Sequence, residues 1–287
     1  MRIDKILFPT DFSDCADAAL EYAVLTAKKY KASLEFLYVD EATYLLNPMG
    51  PYGDNDLHQL SDNVTSYADK KLDDTIQRLH HGVVGHKHVV IGRPYYQIVE
   101  TARSIKADMI IMGTHGESGI NAIIGSNAER IVRQAPCPVM TIRQKRDANH
   151  ICRMLIPVDF SDMCRQTMKQ IIAYARDFAC ELTLVYVSVS HKNETEKGIQ
   201  DDFERFLSRI DITGVIYRTM MVKAHTEGAG IIECAVKNEI DVIAMGTHGR
   251  TGLKRVLMGS VTSEVVNNSP VPVVTFRSVK QNNIQHN

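Results

Sequence analysis

The chain carries the same pattern twice, and this repeat constrains its fold more than any other feature. Residues 9–13 (PTDFS) recur as residues 157–161 (PVDFS), and residues 112–116 (MGTHG) recur as residues 245–249. A Gly-Ser pair follows each glycine motif, beginning at Gly125 and at Gly259, and a proline-flanked apolar run comes next. Two copies of one module are therefore joined head to tail, and the function must arise from the module or from the pair.

The spacing of the motifs predicts the domain boundaries. Asp11 and Asp159 lie 148 residues apart, whereas Gly113 and Gly246 lie 133 residues apart, so the first copy carries 15 extra residues between its motifs. We predict a first domain at 1–143, a linker at 144–150 and a second domain at 151–287, each of a size that supports its own core. We place the extra residues in an insertion within the segment 40–62. Its turn-forming residues favour a surface loop, with a lid or a partner surface as the alternative.

Composition excludes several classes of protein. A formal net charge of −1 gives no electrostatic footprint for nucleic acid. No apolar run approaches the roughly 20 residues that a membrane helix needs, and the first residues enter a strand without room for a signal peptide. The six cysteines include no CxxC pair, which indicates reduced thiols rather than a disulfide framework or a zinc ribbon. We expect a cytoplasmic protein with no nucleic-acid or membrane partner.

Short apolar runs alternate with segments of helical periodicity. Residues 5–9 are typical of a strand buried on both faces of a parallel sheet, and Ser13 is placed to cap the helix that follows. Strands are predicted at 5–9, 34–39, 88–91, 109–112, 139–142, 154–156, 183–187, 217–222, 242–245 and 273–276. Helices are predicted after Ser13 and at 57–79, 96–105, 126–133, 167–178, 200–210, 231–237 and 263–267. The fold class is α/β: two tandem doubly wound open parallel sheets, five-stranded Rossmann-like modules related by pseudo-twofold symmetry.

The motifs of each copy are expected to meet at one crevice. Asp11 and Asp159 follow the first strand of their copies, and Gly113 and Gly246 lie just past the end of the fourth. In open parallel sheets, ligands bind beyond the carboxyl ends of the strands, where strand order reverses. Ser13 and Ser161 are better placed than the aspartates to cap the next helix, which leaves the aspartates for a ligand.

The second copy has the features of a phosphate site. Nine residues separate Gly249 from Gly259, and two glycines three apart let a backbone turn approach a ligand closely. Gly259 and Ser260 open a helix whose free amides and dipole favour an anion, with hydroxyl donors from Ser260 and Thr262. Asp159, on the opposite wall, would accept a hydrogen bond from a ribose hydroxyl or an amine. The lysine of a P-loop is missing.

Together these motifs resemble those of a tandem universal stress protein over both halves of the chain. The opening Pro-x-Asp-x-Ser is moderately specific, and its combination with G-x2-G-x9-G-S/T is quite specific. Resemblance to the ATP-binding branch implies a stress-response role, Mg²⁺ on the phosphates and pairing of the modules through their last strands. It also implies adenosine contacts at Asp159, Val187 and Gly246, and phosphate contacts at Met245, His248, Gly249, Gly259, Ser260, Val261 and Thr262.

The first copy departs from this pattern. Only eight residues separate Gly116 from Gly125, and Ala128 stands where the second copy has Thr262. One residue fewer shifts the loop amides, and site geometry tolerates little of that. We therefore predict that the first site is degenerate or weaker. By resemblance, its candidate contacts are Asp11, Val39, Gly113, Gly116, Gly125 and Ser126.

The function predicted from these residues is that of a nucleotide-dependent regulator in the stress response. No placed general base or arginine finger suggests an efficient enzyme, so a weak ATPase is the most that we expect. Two alternatives stay open: a slow ATP hydrolase with His248 as its candidate base, and a protein-interaction scaffold that binds no nucleotide. A tandem chain satisfies the pairing of its modules internally, and a further homodimer also stays open.

The histidines support no metal site. His80, His81, His86 and His88 lie between a predicted helix and a predicted strand, with no cysteine or carboxylate at ligand spacing. We interpret this group as a solvated turn. His115 and His248 are interpreted as loop residues whose backbone matters, because nothing near them in the sequence supplies a nucleophile.

Overall fold

The computed structural model describes residues 1–46, 54–79, 83–114, 126–146, 150–189, 194–247 and 258–277, and for residues 54–58 and 126 it describes the backbone only. In the first half, the strands are β1 Lys5–Pro9, β2 Ser33–Asp40, β3 Gly85–Ile91, β4 Met109–Gly113 and β5 Val139–Ile142. The helices of this half are α1 Asp14–Tyr30, α2 Glu41–Leu46, α3 Asp54–Arg78, α4 Pro94–Ser104 and α5 Ser126–Gln134.

The second half repeats this order, and its described residues include no counterpart of α2. Its strands are β6 Arg153–Pro157, β7 Glu181–Val189, β8 Tyr217–Ala224, β9 Val242–Gly246 and β10 Val273–Phe276. Its helices are α6 Asp162–Phe178, α7 Glu196–Leu207, α8 Glu227–Lys237 and α9 Ser260–Asn268. None of the helices described in either half is long and apolar enough to cross a membrane.

All ten of these strands join in one sheet, in the order β3-β2-β1-β4-β5-β10-β9-β6-β7-β8. Pairing is parallel within each half, and β5 meets β10 in the one antiparallel pairing at the centre, with Met140 opposite Val274. The order therefore reads identically outward from the centre. The predicted α/β class with two Rossmann-like modules is confirmed, and the modules do pair through their last strands.

The strand interiors are buried on both faces, as parallel sheets with helices on both sides require. In β1, Ile6 and Phe8 pack in the cluster that includes α1 and α3, while Leu7 packs on the other face with α4 and α5. Both faces of each half are thus covered by helices. The carboxyl ends of the strands are left as the edge where loops from neighbouring strands meet.

The insertion at 40–62 is more regular than the predicted surface loop. Helix α2 follows β2 directly, and the Thr43 amide donates to Asp40 Oδ1 at 3.0 Å, which fixes the start of this short helix. Helix α3 begins at Asp54, inside the predicted loop, and residues 47–53 lie outside the described residues. The loop prediction is therefore wrong for 41–46, and the helix predicted at 57–79 begins three residues earlier, at Asp54.

Several predicted helices begin too late because apolar periodicity is weak in their first turns. Ser161, Thr195 and Thr226 each precede a helix, and their side-chain oxygens accept an amide hydrogen from its first turn. These caps place the starts of α6, α7 and α8 four to five residues before the predicted ones. Strand β3 likewise begins at Gly85 rather than at residue 88.

Candidate functional site

Each half brings its two motifs together at the carboxyl edge of the sheet. β1 pairs with β4 and β6 pairs with β9, so the residues that follow these strands are neighbours. Asp11 therefore lies beside the end of β4 at Gly113, and Asp159 lies beside the end of β9 at Gly246. The strand order reverses at the same place in both halves, which is where open α/β sheets bind ligands.

The turn after the first strand has the same unusual backbone in both halves. Phe12 and Phe160 adopt φ values of 65° and 59°, a region that bulky residues rarely enter. The preceding aspartate stabilises the turn, since Asp159 Oδ1 accepts hydrogen bonds from the Ser161 amide at 3.0 Å and its hydroxyl at 2.6 Å. Backbone strain of this kind concentrates at functional sites, where the surrounding structure maintains it.

The serines cap their helices as predicted, but the aspartates are also engaged. The Ala16 amide donates to Ser13 Oγ at 3.3 Å and the Cys164 amide donates to Ser161 Oγ at 3.1 Å. Asp11 Oδ1 accepts a hydrogen bond from the Ser13 amide at 3.1 Å. The serines rather than the aspartates therefore cap the helices, as predicted, while each aspartate bonds to the serine two residues after it. A carboxylate still has about four acceptor positions, so a further donor can be accommodated.

Stacked aromatic pairs support both turns, a feature that the sequence analysis missed. The Phe12 ring stacks on Tyr38 with centroids 5.3 Å apart, and Phe160 stacks on Tyr186 at 5.1 Å. In the second half, Phe203 of α7 adds an edge contact at 5.0 Å. The signal was present in the sequence: a phenylalanine follows each motif aspartate, and a tyrosine precedes Val39 and Val187 in each second strand.

The first amides of α9 lie near the end of β9 and have no partner within the helix itself. Gly259 is its N-cap residue with no side-chain hydrogen bond, unlike Ser13, Ser161, Thr195 and Thr226. The first helical bond described here runs from the Ser263 amide to the Gly259 carbonyl at 3.0 Å. The amides of Ser260, Val261 and Thr262 therefore precede the helical ladder and are suited to an anion.

Two hydrogen bonds tie this helix start to the glycine turn. The Gly259 amide donates to the Thr247 carbonyl at 3.0 Å, and Thr262 Oγ1 donates to the Gly246 carbonyl at 3.0 Å. The Thr262 hydroxyl, predicted to donate to a phosphate, is thus used within the protein, and its amide is the group left for an anion. Ser260 is exposed, while Met245 and Val187 are buried beneath the crevice.

The first crevice differs at the equivalent positions. Ala128 is buried and has no hydroxyl, so the bond from Thr262 to the strand end has no counterpart there. Gly113 packs so tightly against α1 that an added Cβ would lie 2.9 Å from Cys15 Sγ. Val39 is half-buried and is followed by Asp40 and α2, and Ser126 begins α5. The candidates His248, Gly249, Gly116 and Gly125 lie outside the described residues.

Two of the predicted solvated histidines belong instead to a buried-carboxylate cluster. His86 and His88 lie on the edge strand β3, while His80 and His81 lie outside the described residues. His86 Nδ1 is 3.0 Å from Glu35 Oε1, and His88 Nε2 is 2.9 Å from Glu35 Oε2. The turn interpretation is wrong for these two, because the neighbouring strand supplies a carboxylate that sequence spacing did not show. Among the described side chains, no three potential ligands are placed to hold a metal ion.

Comparison of the sequence with protein-family models agrees with the two similar halves of the fold. The model of the universal stress protein family matches residues 2–143 and again residues 151–277. The chain belongs to the universal stress protein family. The two matches leave a gap of seven residues, 144–150, between the copies.

Individual universal stress proteins match either the whole chain or one half. One from Synechocystis sp. is 26% identical over 298 residues, covering 95% of this chain and 99% of the relative. One from Methanocaldococcus jannaschii is 32% identical over 143 residues, covering 50% of this chain and 83% of the relative. A crystal structure of a universal stress protein from Archaeoglobus fulgidus aligns with a TM-score of 0.74 at 19% identity, covering 97% and 100% of the two chains, and supports the fold.

Proposed function

We propose that this universal stress protein binds ATP in its second crevice and acts in the stress response as a nucleotide-dependent regulator. The observation that carries the proposal is the uncapped start of α9, joined to the end of β9 by the Gly259 and Thr262 hydrogen bonds. Three free amides and the helix dipole favour a phosphate at this point. The resemblance to the ATP-binding branch of the family is the reason for proposing ATP as the nucleotide.

The other wall of the crevice supplies groups for a nucleoside. Asp159 is positioned by its bonds to Ser161, and its carboxylate has capacity for a ribose hydroxyl or an amine. Val187, at the end of β7, and Gly246 complete the adenosine contacts that the family resemblance implies. Mg²⁺ would neutralise the phosphate charge when bound, while the residues of this chain orient the nucleotide.

In this proposal ATP acts by binding to the protein rather than by being hydrolysed. A nucleotide that binds the folded chain stabilises it by mass action, and the closed crevice becomes the signal that partners read. We place the protein in the cytoplasm, a reducing compartment that suits its six free cysteines. We also propose two domains at 1–143 and 151–287 separated by the linker 144–150, with a weaker or degenerate site in the first domain.

The test is calorimetric titration of nucleotide-stripped protein with ATP and Mg²⁺, read for stoichiometry and affinity. Gly259 has φ −62° and ψ 145°, values that valine adopts without strain, so Gly259→Val tests the space above the amides rather than the backbone. We expect one site per chain, lost in Gly259→Val and kept in the matched variant Gly125→Val. Two sites, or equal losses in both variants, would contradict the assignment to the second crevice. Absence of heat and of a thermal shift would favour the scaffold function instead.

A further inference from the structure

Two cysteines stand side by side at the amino ends of β6 and β7. In this parallel pair, Arg153 lies opposite Glu181. The Glu181 amide donates to the Cys152 carbonyl at 2.7 Å, so the ladder continues to the residues before them. Cys152 is therefore opposite Cys180. Neighbouring strands are about 4.8 Å apart, within the range of Cα separations that a disulfide spans.

From this register we expect both side chains on the same face of the sheet. Directly opposed residues of a parallel pair share a face, and Cys180 packs on the α6 face with Tyr174 and Ala175. Cys180 Sγ donates to the Ile151 carbonyl at 3.3 Å, and that carbonyl belongs to the peptide bond that leads into Cys152. The Cys180 sulfur thus lies against the backbone of its neighbour.

The two thiols differ in accessibility. Cys152 is exposed, whereas Cys180 is buried with 4% of its surface accessible. Burial, and then the neighbouring Cys152, raise the pKa of the Cys180 thiol to about 12. A dissolved oxidant therefore meets Cys152 first, and Cys180 is a protected second thiol that reacts more slowly.

The fold does not require this pair. At the corresponding place in the first half, where Lys5 lies opposite Ser33, the preceding residues are Asp4 and Ala32. The same strand ends are therefore built without cysteine. An unpaired buried cysteine ordinarily serves as a small apolar residue of the core. Cys152 is exposed, so it contributes little in that way.

We propose that Cys152 and Cys180 form a reversible disulfide when the protein meets a hydroperoxide. The Cys152 thiolate attacks the peroxide, an S–O bond forms, the O–O bond breaks, and an alcohol or water leaves. The Cys180 sulfur then attacks Cys152 sulfur, forming the S–S bond and releasing the oxygen as water with the Cys180 proton. The thiols lose two electrons in total, the peroxide gains them, and a dithiol reductant reverses the change.

The disulfide would close a loop of the chain that contains α6. It would also join β6 to β7 at their amino ends. Asp241 Oδ2 already fixes this corner, accepting the amide hydrogens of Cys152 at 2.9 Å and Arg153 at 2.7 Å. The disulfide would constrain the unfolded chain. The oxidised protein should unfold at a temperature higher by roughly 5 °C or more.

Peptide mapping of the full chain tests the proposal directly. Trypsin releases Cys152 in residues 147–153 and Cys180 in residues 177–192, and neither peptide holds another cysteine. Reduced protein is treated with hydrogen peroxide, alkylated and digested without reductant. We expect the two peptides joined, two mass units below the sum of the separate thiol peptides, and separated again by dithiothreitol.

Single variants separate the two steps. Cys180→Ser should accumulate a Cys152 sulfenic acid that dimedone traps, and Cys152→Ser should yield no linked peptide. Cys234→Ser, at another buried cysteine, should leave the link intact. Oxidation of wild-type Cys152 to sulfinic acid, or its linkage to another chain, without the joined peptides would overturn the proposal. So would peroxide-treated protein in which both thiols remain open to alkylation after unfolding.

Discussion

At the scale of single residues, Thr262 ties the start of α9 to the end of β9 in the second crevice. Its hydroxyl donates to the Gly246 carbonyl, and its side chain is 3% exposed. Thr262→Ala should weaken ATP binding about 3- to 10-fold, the value of one ordinary hydrogen bond, because the amides of α9 lose their fixed distance from the strand end. Titration calorimetry measures the change, and Thr262→Ser, which keeps the hydroxyl, is the control. An unchanged affinity in the alanine variant would show that the tie is not needed.

Glu35 makes stability depend on pH in a defined direction. Burial raises the pKa of Glu35, but hydrogen bonds with His88, Ser33 and His86 outweigh it and keep the pKa below its ordinary value. A lowered folded-state pKa adds stability above the unfolded pKa of about 4.3, which is lost as the pH falls through the folded value.

Replacing that carboxylate should remove the pH-dependent contribution. Glu35→Gln should lower the free energy of unfolding by about 1–3 kcal/mol at neutral pH, the range for bonds to charged groups. The gap to wild type should stay constant down to about pH 5 and shrink below about pH 4. Urea titrations across this range measure it, with the exposed Glu204→Gln as control. A gap that widens on acidification would contradict the role assigned to Glu35.

At the scale of elements, α8 is positioned by a glycine where it crosses β7. A Cβ on Gly230 would lie 2.6 Å from Val187 Cγ1 and 2.8 Å from the Ala224 side chain. Gly230→Ala should therefore destabilise the protein by about 1–3 kcal/mol through overpacking, despite better helix propensity. Gly198→Ala on α7 would meet, among the described residues, the Thr195 side chain alone, at 3.1 Å from Oγ1, and should change stability little. Denaturant unfolding compares them, and equal stabilities would show that α8 shifts freely.

Elements were predictable from sequence where one local rule decided them. The strands at 5–9 and 242–245 are predictable because a short continuous apolar run is typical of a strand that is buried on both faces of a parallel sheet. The starts of α7 and α8 are not predicted correctly, because Thr195 and Thr226 cap these helices before the apolar periodicity begins. The contact of Glu35 with His88 joins residues from two strands, so spacing along the chain did not show it. The position of each crevice is predictable from the strand order. The hydrogen bond from the Thr262 hydroxyl to the Gly246 carbonyl is not, because it depends on side-chain geometry.

At the scale of the whole molecule, the halves are held by reciprocal contacts beside the β5–β10 pairing. Arg143, after β5, donates to the Asn267 carbonyl of α9, and Arg277, after β10, donates to the Ala135 carbonyl just after α5 at 2.7 Å. Each arginine thus satisfies a carbonyl near the end of a helix in the other half, where positive charge is favoured. Thr141 and Thr275 add hydroxyl bonds to the Val273 and Val139 carbonyls across the same pairing.

These contacts should hold the halves together after the chain is cut. With a protease site inserted at 147–149, the cleaved halves should elute together at the size of the intact protein. Arg143→Ala combined with Arg277→Ala should weaken their association at least about 10-fold, because two charge-assisted bonds are lost. Dilution followed by size-exclusion chromatography measures this. Arg176→Ala is the matched control, since Arg176 donates to the Asp211 and Thr213 carbonyls within one half. If the double variant and the control dissociate alike, the two arginine bonds are not needed to join the halves.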